Sequence, residues 1–440
     1  MTTSRDLQPR CTFIPPWLAD RVASAQVPVD RELRAARAAA DRSARPALAG
    51  GTAAWTVHDA GSTTRLPGTP VRSAGQPATG DEAVDEAADG VTATLAMWAE
   101  GFGRDSFDGA GAPVSLTVHY GADYDNAFWD GTQLVFGDGD GRVFDRFTKP
   151  VDVLAHELGH AVVEHTCDLA YEGQSGALNE SVADAFASCL KQRVLGQDAA
   201  AGDWLIGEGI FRPSVQARAL RDMAAPGTAY DDPELGADPQ VGHMDDYVDT
   251  TDDNGGVHLN SGIPNKAFQL AAVAIGGTSV EGAGQVWYAA LTGGAVSSTA
   301  DFAQFAAATV AAAGEHADAV AQAWAQVGVE PSAAGGASRP GPDGSAARTL
   351  RVERSGGFAG RTQSAEVDLD DPAAGDLRGL VDEAGIATLR APADPTPKPD
   401  MFVYGFCVDG GDVVRVPEHL LTGAQAEVAR RVLRTADGTR

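Results

Sequence analysis

The stretch that decides the fold is VDVLAHELGHAVVEH, Val151 to His165. Its apolar residues recur at three- and four-residue steps, which predicts a helix, and on a helix His156 and His160 stand one turn apart on the same face. They can share one metal ion. Imidazole nitrogen suits zinc, and Glu157, beside the two histidines without being a ligand, is placed to take a proton from an attacking water. Two histidines on a helix can also be a solvated face or a satisfied core pair, so the motif needs a third ligand.

Glu180, in GALNESVADAF (residues 176–186), lies on a second helical segment and can supply that ligand as a carboxylate. Asp184 follows one turn later on the same face. A carboxylate there suits an acceptor for the N–H of a ligand imidazole, which fixes the tautomer and raises its basicity. Three protein ligands leave a fourth position open, the arrangement of a catalytic site and not of a closed structural one. Without the histidine motif, Glu180 and Asp184 would read as an exposed helical charge pair.

Five separated motifs carry a family resemblance: NAFW (126–129), HELGH (156–160), GALNESVAD (176–184), LRDM (220–223) and DNGGVHLNSGIPNKAF (253–268). Together they resemble the thermolysin-like zinc metallopeptidases, and among them the protealysin-like branch, over residues 55–329. The resemblance implies an α+β, two-lobed fold: a β-rich N-terminal lobe, an α-helical C-terminal lobe and a zinc cleft between them. It implies one catalytic zinc on His156, His160 and Glu180. His258 and Tyr171 would hydrogen-bond the tetrahedral oxyanion, with Asp253 orienting His258. Asn126 and the backbone of Ala127 would hold the substrate main chain as an added strand, and Arg221 would grip a substrate carbonyl. Phe144, Phe147, Val153, Ile206, Ile210 and Leu220 fall where the family builds the pocket for the residue after the scissile bond. All are apolar, so cleavage on the amino side of large hydrophobic residues is expected; the other reading is that some of them only fill core. Where calcium-rich members carry a bridging carboxylate, this chain has Lys191, although Asp152, Asp203 and Glu208 match calcium-site positions. A cation there opposes a double site, so at most one Ca²⁺ is expected. The run Gly137 to Gly141, GDGDG, lacks EF-hand spacing and reads as a hairpin turn.

Composition bounds the remainder. With 440 residues the chain is too long for one core, and 61 acidic against 33 basic residues give a net charge of −28. That balance repels phosphate backbones and anionic lipid, so no nucleic-acid and no membrane partner is expected; protein or peptide substrates are. The four cysteines, Cys11, Cys167, Cys189 and Cys407, lie in no CxxC spacing. Neither an apolar signal region nor a membrane span is visible, which leaves a cytoplasmic location or secretion by a route without a signal peptide.

Four regions follow. Residues 1–50 form a propeptide-like segment, with CTFIPPWL and the helical RELRAARAAADR ending in the Ala/Gly-rich ALAGGTAA. The peptidase domain spans 51–329, β-rich over 51–150 and helical over 151–329. Residues 330–347, dense in Gly, Pro, Ser and Ala, are a linker. Residues 348–440 form a small β-rich domain closed by an amphipathic helix. Cys11 resembles the cysteine of the protealysin-type propeptide, and its thiolate could take the open zinc position in a zymogen; it could also be a buried small hydrophobe. The C-terminal region resembles emfourin, an inhibitor associated with protealysin-type enzymes, through LRVERSGGFAGRTQS and DMFVYGF. A tethered inhibitor would act on its own chain at high effective concentration; an accessory or substrate-binding domain is the other reading. Two functions therefore stand: an endopeptidase made as a proenzyme, and a catalytically silent binding protein that keeps the peptidase fold. Glu157, Tyr171 and His258 favour the first.

Overall fold

The computed structural model describes residues 12–22, 54–332, 349–356, 363–369, 402–408 and 414–437, together with a few positions between 377 and 386. Cys11, the helical stretch after residue 30, the Ala/Gly-rich segment and most of the 330–347 linker lie outside the described residues. The described residues divide into two compact units, one within Leu7–Gly336 and the other after it.

In the first unit, helix α1 (Pro16–Val22) precedes a five-stranded sheet of β1 (Trp55–Asp59), β2 (Thr69–Ser73), β3 (Val114–Val118), β4 (Ala127–Trp129) and β5 (Leu134–Phe136). The strand order is β2-β1-β3-β5-β4, with β1, β3 and β5 parallel and the two outer strands antiparallel to their neighbours. Helix α2 (Glu82–Phe102) starts on Asp81, whose side chain accepts from the Val84 N–H, and ends at Gly103 in the left-handed conformation. It buries Val84, Ala87, Val91, Leu95 and Trp98, at about 1.5–3 kcal/mol for each large side chain. The GDGDG run is not a hairpin turn: the antiparallel pair here is β4 with β5, joined by residues 130–133, and GDGDG leaves β5 as a loop. Of its two acids, Asp140 serves the backbone instead, accepting from the N–H groups of Arg142, Val143 and Phe144 at 2.9, 2.8 and 3.0 Å.

The second lobe is built on α3 (Val151–Glu164) and α4 (Gly173–Leu195). Residues 152–163 of α3 are all buried, so its sequence is apolar except where the site needs polar groups. The helices run antiparallel: His156 meets Asp184, and His160 meets Asn179. Gly159 allows the crossing, because a β-carbon there would lie 2.9 Å from Ala183 Cα. Short pairs β6 (Leu205–Ile206) with β7 (Arg221–Asp222) and β8 (Asp231–Asp232) with β9 (Gly236–Ala237) follow, then α5 (Asp253–Asn260), α6 (Gly262–Ile275), α7 (Ala283–Thr292), α8 (Phe302–Ala312) and α9 (Ala317–Gln326). Phe268, Trp287, Phe305 and Trp324 pack at their centre, the two indoles stacked 6.1 Å apart.

The second unit is an antiparallel sheet of β10 (Thr349–Gly356), β11 (Gln363–Asp368), β12 (Phe402–Val408) and β13 (Val414–Pro417), in the order β11-β10-β12-β13, with α10 (Gly423–Asp437) on one face. Leu350, Val352, Phe406, Val428, Val432 and Leu433 form its own core. No helix among the described residues is long and apolar enough to cross a membrane.

Candidate active site

On α3, His156 and His160 turn their Nε2 atoms toward one point, 3.0 Å from each other. Each ring is fixed from behind. His156 Nδ1 donates to Asp184 Oδ1 at 2.8 Å and His160 Nδ1 donates to Asn179 Oδ1 at 2.8 Å, which leaves both Nε2 lone pairs facing inward. The Glu180 carboxylate completes the cluster, with oxygens 3.5 Å from His156 Nε2 and 3.7 Å from His160 Nε2. Among the described residues this is the cluster of three ligand-type side chains that could hold an ion. Zinc–ligand bonds of about 2.0–2.2 Å place the donor atoms of one ion roughly 3–3.5 Å apart, so the donor set fits zinc. Glu180 Oε2 is buried without a hydrogen-bond partner, the state of a ligand atom whose partner is an ion.

Electrostatics agree with a cation at this point. Burial disfavours charge on every group here. It pushes His160 down to about 4, the neutral form a ligand needs. On His156 the same burial is overcome by Asp184 and Glu180, and the ring rises to about 9. A position that so favours a proton favours a metal ion in its place. Against burial, His258, His160 and His156 hold Glu180 well below the carboxylate range, and Arg221 and His156 hold Asp184 at about 2.

The other residues with expected roles surround this point. Glu157 is fully buried and accepts the Trp129 N–H on Oε2 at 2.8 Å. His258 arrives by a turn that DNGGVH encodes: Asp253, Asn254, Gly255 and Gly256 all have positive φ (52°, 54°, 82° and 73°) before the helix resumes. Asp253 then takes the His258 ring at 2.7 Å and its N–H at 2.9 Å. Tyr171 donates to Glu180 and lies 3.3 Å from His258 Nε2. Arg221, at the start of β7, holds Asp184 by two hydrogen bonds of 2.8 and 2.7 Å, which ties this arginine to the partner of His156. Phe144, Phe147, Val153, Ile206, Ile210 and Leu220 are buried. The Leu220 N–H, just before β7, donates to the Ile206 carbonyl of β6, while the Phe144 ring meets those of Phe147 and Phe211 at a tilt. Three contributors went unforeseen: Asn179 behind His160, Asn265 donating to Asp184 at 2.8 Å, and the Trp129 amide on Glu157. Asn179 and Asn265 lie inside the NES and SGIPNK motifs, where only a pairing of elements in space reveals their targets.

The cleft is filled by the chain's own N-terminal segment. The Phe13 N–H donates to Ala127 O at 3.0 Å and the Ile14 N–H to Asn126 Oδ1 at 2.9 Å, which extends the edge strand β4. Phe13 and Ile14 are fully buried, and the Phe13 ring lies edge-on to His156, 5.3 Å between centroids. Lys191, meanwhile, binds Asp203, Glu208 and the Leu205 carbonyl at 3.0, 2.8 and 3.2 Å. Its ammonium stands among the carboxylates expected at calcium-site positions.

A two-lobed α+β chain with a buried His-Glu-His cluster, a second buried glutamate beside it and a strand-binding edge is a zinc metallopeptidase. Residues 44–164 match the thermolysin metallopeptidase catalytic domain, residues 167–329 its alpha-helical domain, and residues 352–433 emfourin. The chain belongs to the thermolysin metallopeptidase family, in its protealysin-like branch. It is 46% identical over 338 residues to the extracellular metalloprotease of Pectobacterium carotovorum subsp. carotovorum, covering 73% of this chain and 97% of that one. Identity is also 46% over 282 residues to protease PrtS of Photorhabdus sp. (strain Az29), with 62% and 76% covered. Among solved structures, the precursor of protealysin, the metalloproteinase from Serratia proteamaculans, superposes with a TM-score of 0.66 at 46% identity, covering 73% of this chain and all of that one.

Proposed function

We propose that Glu157, His258, Tyr171, Asp253, Asn126, Ala127 and Arg221 carry out peptide-bond hydrolysis on the amino side of large hydrophobic residues. His156, His160 and Glu180 would hold a zinc ion, which when bound would supply Lewis acidity to the carbonyl and lower the pKa of the attacking water. Glu157 takes the proton of that water and passes it to the leaving amine. His258 Nε2 and the Tyr171 hydroxyl donate to the carbonyl oxygen as charge develops on it. Asp253 keeps the His258 ring in its donating orientation. The Ala127 carbonyl and the Asn126 side chain align the substrate as an extra strand, and Arg221 holds the carbonyl beyond the scissile bond. The observation that carries this reading is the convergence of both Nε2 atoms and Glu180 within 3.7 Å, with Glu157 on the intervening turn of α3. The expected result is stoichiometric zinc and chelator-sensitive cleavage of hydrophobic peptides. Glu157→Ala should keep the zinc and lose roughly 10²–10⁴-fold in kcat. Zinc without turnover in a chain with an unblocked cleft would favour the silent binding protein.

The emfourin match supports a second part of the proposal: the C-terminal unit inhibits the peptidase unit of its own chain. Deleting residues 340–440 should raise turnover once the N-terminal segment has left the cleft; unchanged turnover would leave an accessory role. We further place the working enzyme outside the cell, as the name of the Pectobacterium relative suggests, which a comparison of culture medium with cell extract tests.

A further inference from the structure

We propose that the Thr12–Phe13 peptide bond is a self-cleavage site, presented by the N-terminal segment to its own catalytic centre. The inference rests on the endopeptidase reading above and adds a defined bond to it.

A segment that only obstructs a cleft can lie in any direction and register. Here both ends of one peptide bond are held as hydrolysis requires. The Thr12 carbonyl oxygen lies 3.2 Å from His258 Nε2, the donor assigned to the developing oxyanion. The N–H on the other side of the bond, that of Phe13, donates to Ala127 O at 3.0 Å. One residue further, the Phe13 carbonyl lies 3.4 Å from Arg221 Nη1, and the Ile14 N–H reaches Asn126 Oδ1 at 2.9 Å. The main-chain contacts assigned to substrate on His258, Ala127, Arg221 and Asn126 are therefore all made by residues 12–14, in one direction and one register.

The side chain agrees. Phe13 follows the presented bond, as a large hydrophobic residue after the scissile bond should. Its ring is fully buried with Arg221 Cζ 4.9 Å above it, and a β-carbon on Gly207 would touch both Phe13 Cζ and Leu220 Cβ at 3.2 Å. Register cannot slip, because Pro15 and Pro16 have no N–H to continue the ladder and α1 begins at Pro16, turning the chain away.

In the step itself, the hydroxyl of one water joins the Thr12 carbonyl carbon and its hydrogen passes through Glu157 to the Phe13 nitrogen. The carbon–nitrogen bond breaks, leaving a Thr12 carboxylic acid and a Phe13 amine, between which one proton passes to give carboxylate and ammonium. The segment from Phe13 onward keeps its contacts with Asn126, Arg221 and Leu235, so the cut precedes release and does not by itself open the cleft.

The test uses the full chain loaded with zinc, followed by intact mass and N-terminal sequencing at several protein concentrations, with a hydrophobic reporter peptide assayed in parallel. Wild type should lose residues 1–12 and begin at Phe13, with a first-order rate that is unchanged by tenfold dilution. Phe13→Leu should still be cut. Phe13→Asp should stay intact at that bond yet hydrolyse the reporter, and Glu157→Ala should do neither. Independently of turnover, the Phe13 and Ile14 amides of the Glu157→Ala chain should exchange at least tenfold more slowly than in Glu157→Ala/Phe13→Asp. Wild type that stays intact at Thr12–Phe13 while Phe13→Asp hydrolyses the reporter overturns the inference and leaves the endopeptidase. A cut that slows on dilution overturns self-presentation. An uncut wild type with no reporter hydrolysis by any variant overturns the endopeptidase reading and the inference with it.

Discussion

Asp184 never faces the cleft, yet it touches the site from two sides. One oxygen receives the His156 imidazole and the Arg221 Nη2, and the other receives Arg221 Nε and the Asn265 amide. Asp184→Asn would put an amide where only acceptors fit and leave the buried Arg221 charge uncompensated. Zinc affinity should fall about 10–100-fold, read by competition with a chromophoric chelator. Lys191 is the second residue whose chemistry reaches past its size. Its ammonium links Asp203 and Glu208 and faces Asp152, whose carboxyl burial raises to about 6 even with that ammonium beside it. Millimolar calcium should therefore leave the melting temperature unchanged. Lys191→Glu should lower stability by about 3 kcal/mol in chelator and regain part of it with calcium, since a set of carboxylates without a cation repels itself. A calcium-dependent melting temperature in the unmodified chain would contradict this account.

At the scale of elements, helices α3 and α4 were legible because their apolar spacing is regular and their polar residues are chemically distinctive. The HELGH and NESVAD spacings place His156 and His160 on one face of the first helix and Glu180 and Asp184 on one face of the second; the structure brings the two faces together. What spacing does not encode is the third dimension of the crossing. Gly159 reads as a neutral position in a ligand motif, yet it sits under Ala183, and Gly159→Ala should cost about 1–3 kcal/mol in urea unfolding and loosen both histidines. The left-handed run from Asp253 to Gly256 was hidden for a related reason: the motif is visible, but four successive positive φ angles ahead of His258 belong to no regular period. His119 shows the same limit. After β3 it is held by Asp138 beyond β5, 2.8 Å away, and by Asp81 at the start of α2, 3.2 Å away. The hydrogen bond to Asp138, with the charges of Asp138 and Asp81 and against partial burial, raises its pKa to about 9. A folded value above the unfolded value of roughly 6.5 means that the contribution is fully present below that pH and is lost as pH rises through about 9. Screening by solvent on the half-buried ring limits it to about 1 kcal/mol. Unfolding at a series of pH values should show wild type losing that margin between roughly pH 7 and 10, with His119→Gln nearly flat over the same range.

For the molecule as a whole, the two units each have a core, so each can fold while the other does not. The boundary between them was readable from composition, because a stretch rich in Gly, Pro, Ser and Ala has no apolar area to bury. The register of residues 12–14 was not readable, because a stretch of three residues takes its register only beside an edge strand that follows more than a hundred positions later. This organisation gives inhibition by the C-terminal unit a signature that no separate inhibitor shares. A unit carried on the same chain as its partner meets it at an effective concentration on the order of millimolar, whatever the concentration of the chain. Turnover per molecule of the processed full-length chain should therefore stay constant on dilution from micromolar to nanomolar. The same two units, separated within the 333–348 segment and mixed in equal amounts, should recover activity once diluted below their dissociation constant. If the joined chain also regains activity on dilution, inhibition passes between molecules; if the separated C-terminal unit inhibits at no concentration, it has another role.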